Sequence, residues 1–513
     1  MKLKKTLCIL AAANLIAGSC IVPSAAAADE PSVSPQVIYG DADESGIVDV
    51  SDAVLIAKFA SADSTAKITD AGKINADVDL NEVVDSDDLT QVLEFIVHLR
   101  KTLGAQTVNP QYQSVNLLDG ITPNTIEGKK VDDAFVLSQL NFSSELFRNC
   151  AFAEQEKPNL LISPLSVTQA LAMTANGAKG ETKKQMEQVL GGTLEMNALN
   201  EYYYDYTSNL ASSEKASLDL ANSIWILDDE SVIKVPQAFL QTTADYYDSA
   251  VFRAAFDEGT LNDINAWISD NTHGMIPHML DQIDTGNVMF LINALAFDAK
   301  WSEPLEPLDR KANFYVQADM VKPVDMMKGT ADAYISDKYS AGFLKYYEGG
   351  DYAFAAILPD AEQAVTISDY IGMMSGESLK ALLDSRKKTE VQVYVPKFSY
   401  DYDIVLNDTL SRMGMELPFL PAADFTGLDS LGGTYIDYVL HKTFISVDEL
   451  GTKAGAATVV SMRKNSMPQT IIRLDCPFIY MILDMHTNLP VFMGVLNDPA
   501  PDIQAGKVAN YVS

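Results

Sequence analysis

Residues 449 to 468, Glu449-Leu450-Gly451-Thr452-Lys453-Ala454-Gly455-Ala456-Ala457-Thr458-Val459-Val460-Ser461-Met462-Arg463-Lys464-Asn465-Ser466-Met467-Pro468, constrain the fold more than any other stretch. Their first half carries almost no bulk. It lies between two apolar runs that read as strands, Phe444-Ile445-Ser446-Val447 and Phe478-Ile479-Tyr480-Met481-Ile482-Leu483. A segment this small can be a linker, yet Ala and Thr outnumber Gly and Val459-Val460 follows, so it can also become a strand if a sheet opens for it. Extended, successive side chains point to opposite faces. Thr452, Ala454, Ala456 and Thr458 then share a face free of charge and bulk, fit to slide into a packed core, while Lys453 falls on the solvent side.

The run Val439-Leu440-His441-Lys442-Thr443-Phe444-Ile445-Ser446-Val447-Asp448-Glu449-Leu450-Gly451-Thr452, with the small-residue hinge and then Cys476-Pro477-Phe478, resembles the reactive-centre region of serpins. Similar pieces follow in order along most of the chain: Ile162-Ser163-Pro164-Leu165-Ser166, Asn176-Gly177-Ala178-Lys179-Gly180-Glu181-Thr182, Ile264-Asn265-Ala266-Trp267, Leu291-Ile292-Asn293-Ala294-Leu295-Ala296-Phe297, Val395-Pro396-Lys397-Phe398, Ala423-Asp424-Phe425-Thr426-Gly427 and Phe492-Met493-Gly494. The resemblance implies an α+β body of three β-sheets with about eight or nine helices, whose central sheet can gain a strand. It implies a hinge of Glu449, Gly451, Thr452, Ala454, Ala456, Ala457 and Thr458. Ser163, Ser166, Asn293 and His441 match the polar cluster beneath the point where the sheet parts, and Trp301 the tryptophan near the top of that opening.

The mechanism so implied is suicide inhibition. A protease attacks the exposed loop and forms an acyl-enzyme, and the hinge inserts before water releases it. Counted forward from Glu449 by the family's spacing, the attacked carbonyl is that of Asn465; counted back from Pro477 it is that of Ser466. Met462, Arg463 and Lys464 are alternatives, and Met467 is the next neighbour. An Arg or Lys site points to trypsin-like targets, whereas Asn or Ser points to subtilisin-like or cysteine proteases. Leu450, Lys453 and Gly455 depart from the family's hinge pattern, which keeps open a non-inhibitory serpin acting as protease substrate, chaperone or binding protein.

Lys2, Lys4 and Lys5 precede an apolar stretch from Leu7 to Val22, and Ala25 to Ala28 offer small residues for cleavage, so residues 1–28 read as a secretory signal peptide. The 513 residues suit one large domain plus a small module, and the formal charge of −33 argues against nucleic-acid or anionic-membrane partners. Only Cys150 and Cys476 remain after the signal, so no disulfide framework is expected and the two read as separate thiols. The product is expected to be secreted and monomeric, with no membrane attachment after cleavage.

Residues 37–100 read as a small acidic module. Asp41-Ala42-Asp43-Glu44-Ser45-Gly46-Ile47-Val48-Asp49-Val50-Ser51-Asp52 places oxygen-bearing side chains at the alternating positions from which a short loop wraps a hard cation. Asp77-Val78-Asp79-Leu80-Asn81-Glu82-Val83-Val84-Asp85-Ser86-Asp87-Asp88 is a second copy, with Glu82 in place of the turn glycine, and each leads into a helical apolar pattern. With Asp closing each loop and no clear preceding helix, the module resembles a small all-α dockerin that binds Ca2+. The resemblance implies one calcium on Asp41, Asp43, Ser45, Asp49, Asp52 and the Ile47 carbonyl, and a second on Asp77, Asp79, Asn81, Asp85, Asp88 and the Val83 carbonyl. Val50, Ser51, Ser86 and Asp87 match the cohesin-binding positions, which implies a cohesin of a scaffoldin as partner and a place on a cellulosome at the bacterial cell surface.

From 101 to 130 periodicity fades and the sequence reads as linker. Residues 131–500 form the large domain, and 501–513 a C-terminal tail. A helix is expected from Phe135 to Ala151, and Ser163 before Pro164 starts another. Strands are expected at Ala221–Leu227, Val288–Asp298, Ala353–Leu358, Val391–Val395, Phe444–Val447, Phe478–Asp484 and Val491–Leu496, which makes the class α+β. An enzyme is not expected: five histidines lie scattered, and no Gly-x-Ser-x-Gly elbow occurs.

Overall fold

The computed structural model describes residues 39–43, 45, 48, 50–61, 65–78, 83–96, 112–210, 215–283, 286–317, 319–452 and 470–500. Residues 1–28, residues 101–111 of the expected linker and residues 501–513 lie outside them. Two compact units divide the chain, residues 1–108 and 109–513. In the smaller unit the helices Val50–Ala60, Asp70–Ala76 and Ser86–Ile96 enclose a core of Ala42, Ala53, Ile56, Ala76, Val78 and Val92. Ala53 and Ile56, one turn apart, give the first helix its inward stripe.

In the larger unit the strands are, in chain order, β1 (Val115–Asn116), β2 (Asn159–Ile162), β3 (Ala216–Leu227), β4 (Ala250–Ala254), β5 (Met289–Lys300) and β6 (Glu306–Pro307). Next come β7 (Ala312–Gln317), β8 (Met320–Val324), β9 (Met326–Ser336), β10 (Ser340–Tyr346), β11 (Tyr352–Pro359) and β12 (Lys387–Pro396). The last are β13 (Phe398–Val405), β14 (Tyr438–Val447), β15 (Gly451–Thr452), β16 (Thr470–Arg473), β17 (Phe478–Asp484) and β18 (Pro490–Leu496). They form three sheets: β1-β4-β3-β5-β15-β14-β13, then β16-β12-β9-β10-β11-β17-β18-β2 with β6 on β9, and the hairpin β7-β8. Nine α-helices accompany them among the described residues of this unit.

The helix Pro164–Ala175 is buried at every position because it packs against β3, β5 and β18, between the two large sheets. Its first turn is set by local chemistry. Ser163 accepts the Ser166 backbone N–H at 3.1 Å, and Pro164 takes the first position, where no N–H is needed. β17 and β18 are buried on both faces and read as nearly continuous apolar runs. The opening helix runs from Asp133 to Ala153, with Asp132 capping Ala134 and Phe135.

The linker expectation needs correction at its C-terminal part. Residues 112–130 pack onto the larger unit: β1 pairs antiparallel with β4, and Ser114 donates to Asp263 from its backbone at 2.7 Å and its hydroxyl at 2.6 Å. The Tyr112 ring meets Phe252 edge-on. A polar, aperiodic stretch can join a sheet edge because pairing there is made by backbone, so side-chain periodicity gives no warning.

Candidate functional site

At one end of the first sheet, β5 and β14 part and admit the chain that follows β14. Gly451 and Thr452 pair antiparallel with Lys300 and Ala299 of β5, and Thr452 also pairs with Val447 of β14. Below this wedge β5 and β14 lie directly side by side, parallel, from Phe290 and Tyr438 to Leu295 and Thr443. A Cβ on Gly451 would stand 2.0 Å from the Ala299 carbonyl oxygen, so only glycine fits there. Thr452 is 1% exposed, and its Oγ1 lies 2.6 Å from the Tyr347 hydroxyl.

Trp301 closes the top of the opening. Its backbone N–H donates to Leu450 O at 2.7 Å and its indole Nε1 to Asp448 O at 2.9 Å, while Leu305 N–H donates to Glu449 O at 2.8 Å. The indole stacks on the Tyr347 ring at 4.5 Å. Glu449 pairs with Lys397 at 2.9 Å. Partial burial pushes the Glu449 carboxyl up, but the bonds it accepts, chiefly from Lys397, win and hold it below its ordinary value. The bond to Glu449 raises Lys397 in turn.

Beneath the wedge lies a buried polar cluster of Ser163, Ser166, Asn222, Asn293 and His441. His441 Nε2 accepts the Ser163 backbone N–H at 2.9 Å, so its proton sits on Nδ1 and is donated to Asn293 Oδ1. Asn293 Nδ2 donates across the strand boundary to Leu440 O at 3.0 Å. The Ser166 hydroxyl lies 3.4 Å from both Asn222 Oδ1 and Asn293 Oδ1. Burial holds His441 down to about 3, and the imidazole is neutral near pH 7.

Of the residues singled out in the sequence, the structure gathers Glu449, Gly451, Thr452 and Trp301 at the opening and Ser163, Ser166, Asn293 and His441 below it. Ala454, Ala456, Ala457, Thr458, Met462, Arg463, Lys464, Asn465, Ser466 and Met467 lie outside the described residues. The chain re-emerges as β16, parallel to β12. Tyr347, Lys397 and Asn222 were not foreseen at the site. No sequence signal marks the first two as its neighbours, whereas Asn222 is a polar residue within the expected strand Ala221–Leu227.

In the smaller unit Asp41, Asp43 and Asp52 bring one carboxylate oxygen each within 4.8 Å of one another, with Asp41 and Asp52 buried. Ser45 donates its backbone N–H to Asp41 Oδ1 at 2.9 Å and Asp43 donates its backbone N–H to Asp52 Oδ1 at 3.0 Å. Hard oxygen donors packed this closely fit a calcium-sized cation. Asp88, also buried, accepts from the backbone of Val78 and Asp85, both at 2.8 Å, while Asp77, Val83 and Asp85 are among the described residues. Ile47, Asp49, Asp79 and Asn81 lie outside the described residues, as does the Asp87 side chain. Val50, Ser51 and Ser86 are exposed at the starts of their helices.

A family profile described as Serpin (serine protease inhibitor) matches residues 137–499. A crystal structure of the thermophilic serpin tengpin in its native state is 42% identical and superposes with a TM-score of 0.71, covering 75% of this chain and 99% of that one. Tengpin in its latent state gives 0.61 at 40% identity, covering 72% and 98%. Human alpha-1-antichymotrypsin is 27% identical over 390 residues, 73% of this chain and 90% of the relative. This chain belongs to the serpin family, whose members are protease inhibitors rather than enzymes.

Proposed function

We propose that this protein is a suicide inhibitor of serine-type and cysteine proteases, exported and held on a cellulosome scaffold. The observation that carries the reading is the wedge itself: Gly451 and Thr452 already sit antiparallel between β5 and β14, with the Thr452 side chain buried. The chain after Thr452 has only to continue in the same direction. A protease nucleophile adds to a loop carbonyl, at Asn465 or Ser466, expels the downstream amine and leaves an acyl-enzyme. The freed strand end then zips down between β5 and β14, exchanging one parallel pairing for two antiparallel ones, and carries the acyl-linked protease with it.

What must open is the six-pair parallel contact from Phe290 to Leu295. Its boundary is held by the Asn293 amide and the His441 imidazole, whose hydrogen bonds can pass to an incoming backbone; a jigsaw of large apolar side chains would resist parting. On the scaffold, Val50, Ser51, Ser86 and Asp87 would meet a cohesin. Asp41, Asp43, Ser45, Asp49 and Asp52, and Asp77, Asp79, Asn81, Asp85 and Asp88, would hold calcium, which would fix the loops that orient those helices.

Incubation with a panel of proteases is expected to yield an adduct that survives boiling in detergent. Thr452→Arg would force an unpaired charge into the 1%-exposed site, so the variant is expected to be cut as a plain substrate with loss of nearly all adduct. Wild-type cleavage with fully active protease and no adduct would instead identify a substrate or binding protein. An unchanged adduct yield in Thr452→Arg would overturn the hinge assignment. Mass spectrometry of the released C-terminal fragment decides between Asn465 and Ser466.

A further inference from the structure

The turn after β5 sets the point where the loop enters the sheet, because Trp301 and Leu305 hold the carbonyls of Asp448, Glu449 and Leu450. Whatever fixes the indole therefore fixes the entry. Beside that ring lies a buried charge. Lys345 of β10 is 1% exposed; its Nζ stands 5.7 Å from the Trp301 ring centroid and donates to Thr330 O at 2.9 Å. Two carboxylates face it. Asp332 of β9 accepts the Tyr346 N–H at 2.8 Å, and Glu303, in the same turn as Trp301, accepts the Thr330 hydroxyl at 3.4 Å. From β11 the cross-strand partner is Phe354, which meets the same indole edge-on at 5.8 Å.

An apolar side chain would occupy this place without the cost of stripping water from an ammonium. The lysine instead acts on three pieces together: the Trp301 ring by a cation–π contact, β9 by its bond to Thr330, and the turn by charge attraction to Glu303, which itself accepts the Thr330 hydroxyl. We propose that Lys345 is a positioning residue for loop insertion, its ammonium drawing the Trp301 ring and the 301–305 turn onto the parted edge and so aligning residues 448–450 for the strand that follows. This rests on the loop-insertion reading above. Burial holds the ammonium down to about 8, so its charge is lost in mildly alkaline solution.

The test compares wild type with Lys345→Met, which keeps the volume and removes the charge. Near pH 7 the variant is expected to divert roughly threefold more acyl-enzyme to cleaved inhibitor, with the rate of first attack on the loop unchanged. The difference is expected to vanish by about pH 9, as wild type loses the same charge. A merely structural role would leave that convergence out. Hydrogen exchange at the Trp301 and Leu305 amides needs no protease, and near pH 7 it is expected to be roughly tenfold faster in the variant. Equal exchange and equal partitioning in the two proteins would overturn the proposal. If wild type forms no adduct but the amides still differ as expected, the inhibitory reading falls while the positioning of the entry stands.

Discussion

His441 is held as a neutral donor: Ser163 occupies its Nε2, Asn293 accepts the proton on Nδ1, and the ring is buried. That arrangement has a pH consequence whose sign is fixed. With the folded value held down to about 3 against an ordinary 6.5, the unfolded chain binds a proton between those limits that the folded chain refuses. Stability is therefore fully present above 6.5 and is lost as pH falls, by about 1.4 kcal/mol for each unit below it from this group alone. Denaturant unfolding of wild type and His441→Gln between about pH 4 and 6.5 should show the variant's slope against pH shallower by about one proton's worth. Identical slopes would mean that His441 already titrates in the folded molecule. Lys345 works in the opposite range. Its depressed value makes the buried charge costly below about 8, and stability rises with pH from there toward its ordinary 10.5.

At the level of elements, the small unit brings the carboxylates of Asp41, Asp43 and Asp52 into one 4.8 Å neighbourhood. Like charges this close repel unless a cation sits among them. Under the calcium reading, the small unit in the intact chain should gain about 2.7 kcal/mol of stability at a hundredfold excess of free calcium over Kd, and its thermal transition should move up accordingly. Calorimetry with calcium and with chelator measures it, and a chelator that moves no transition counts against the loops. Elements whose chemistry is local were readable in the sequence. β17 and β18 are apolar at nearly every position because both faces are buried, and Ser163-Pro164 announces its helix by capping. β9 carries no apolar run for a sequence reading to find, because its buried and half-buried residues alternate and Lys328 and Asp332 stand on the wetter face. β15 is two residues long and exists only because β5 and β14 part around it. The Tyr347–Thr452 contact joins positions 105 apart, and the burial of Lys345 follows from three elements meeting; neither has a trace in local pattern.

For the whole molecule, the boundary between β5 and β14 is one parallel contact that can be exchanged for two antiparallel ones. The first strand pair of a new ribbon is in place at Gly451 and Thr452, antiparallel to both neighbours, whereas the rest of the boundary is a single parallel contact. Antiparallel pairing is somewhat the stronger per residue, and an inserted ribbon bonds on both edges where one contact existed before. About ten inserted residues, at a net gain of about 1 kcal/mol each, would lower the free energy by about 10 kcal/mol. At about 2 °C per kcal/mol for a large domain, a loop-cleaved molecule should melt roughly 20 °C above the intact one. The comparison needs only a protease that cuts within residues 453–469 and a scanning calorimeter. A cleaved form that melts where the intact form does would show that the parted sheet stores nothing. Without that release, capture could not outrun hydrolysis of the acyl-enzyme, and the wedge at Thr452 would be no more than the anchored root of a surface loop.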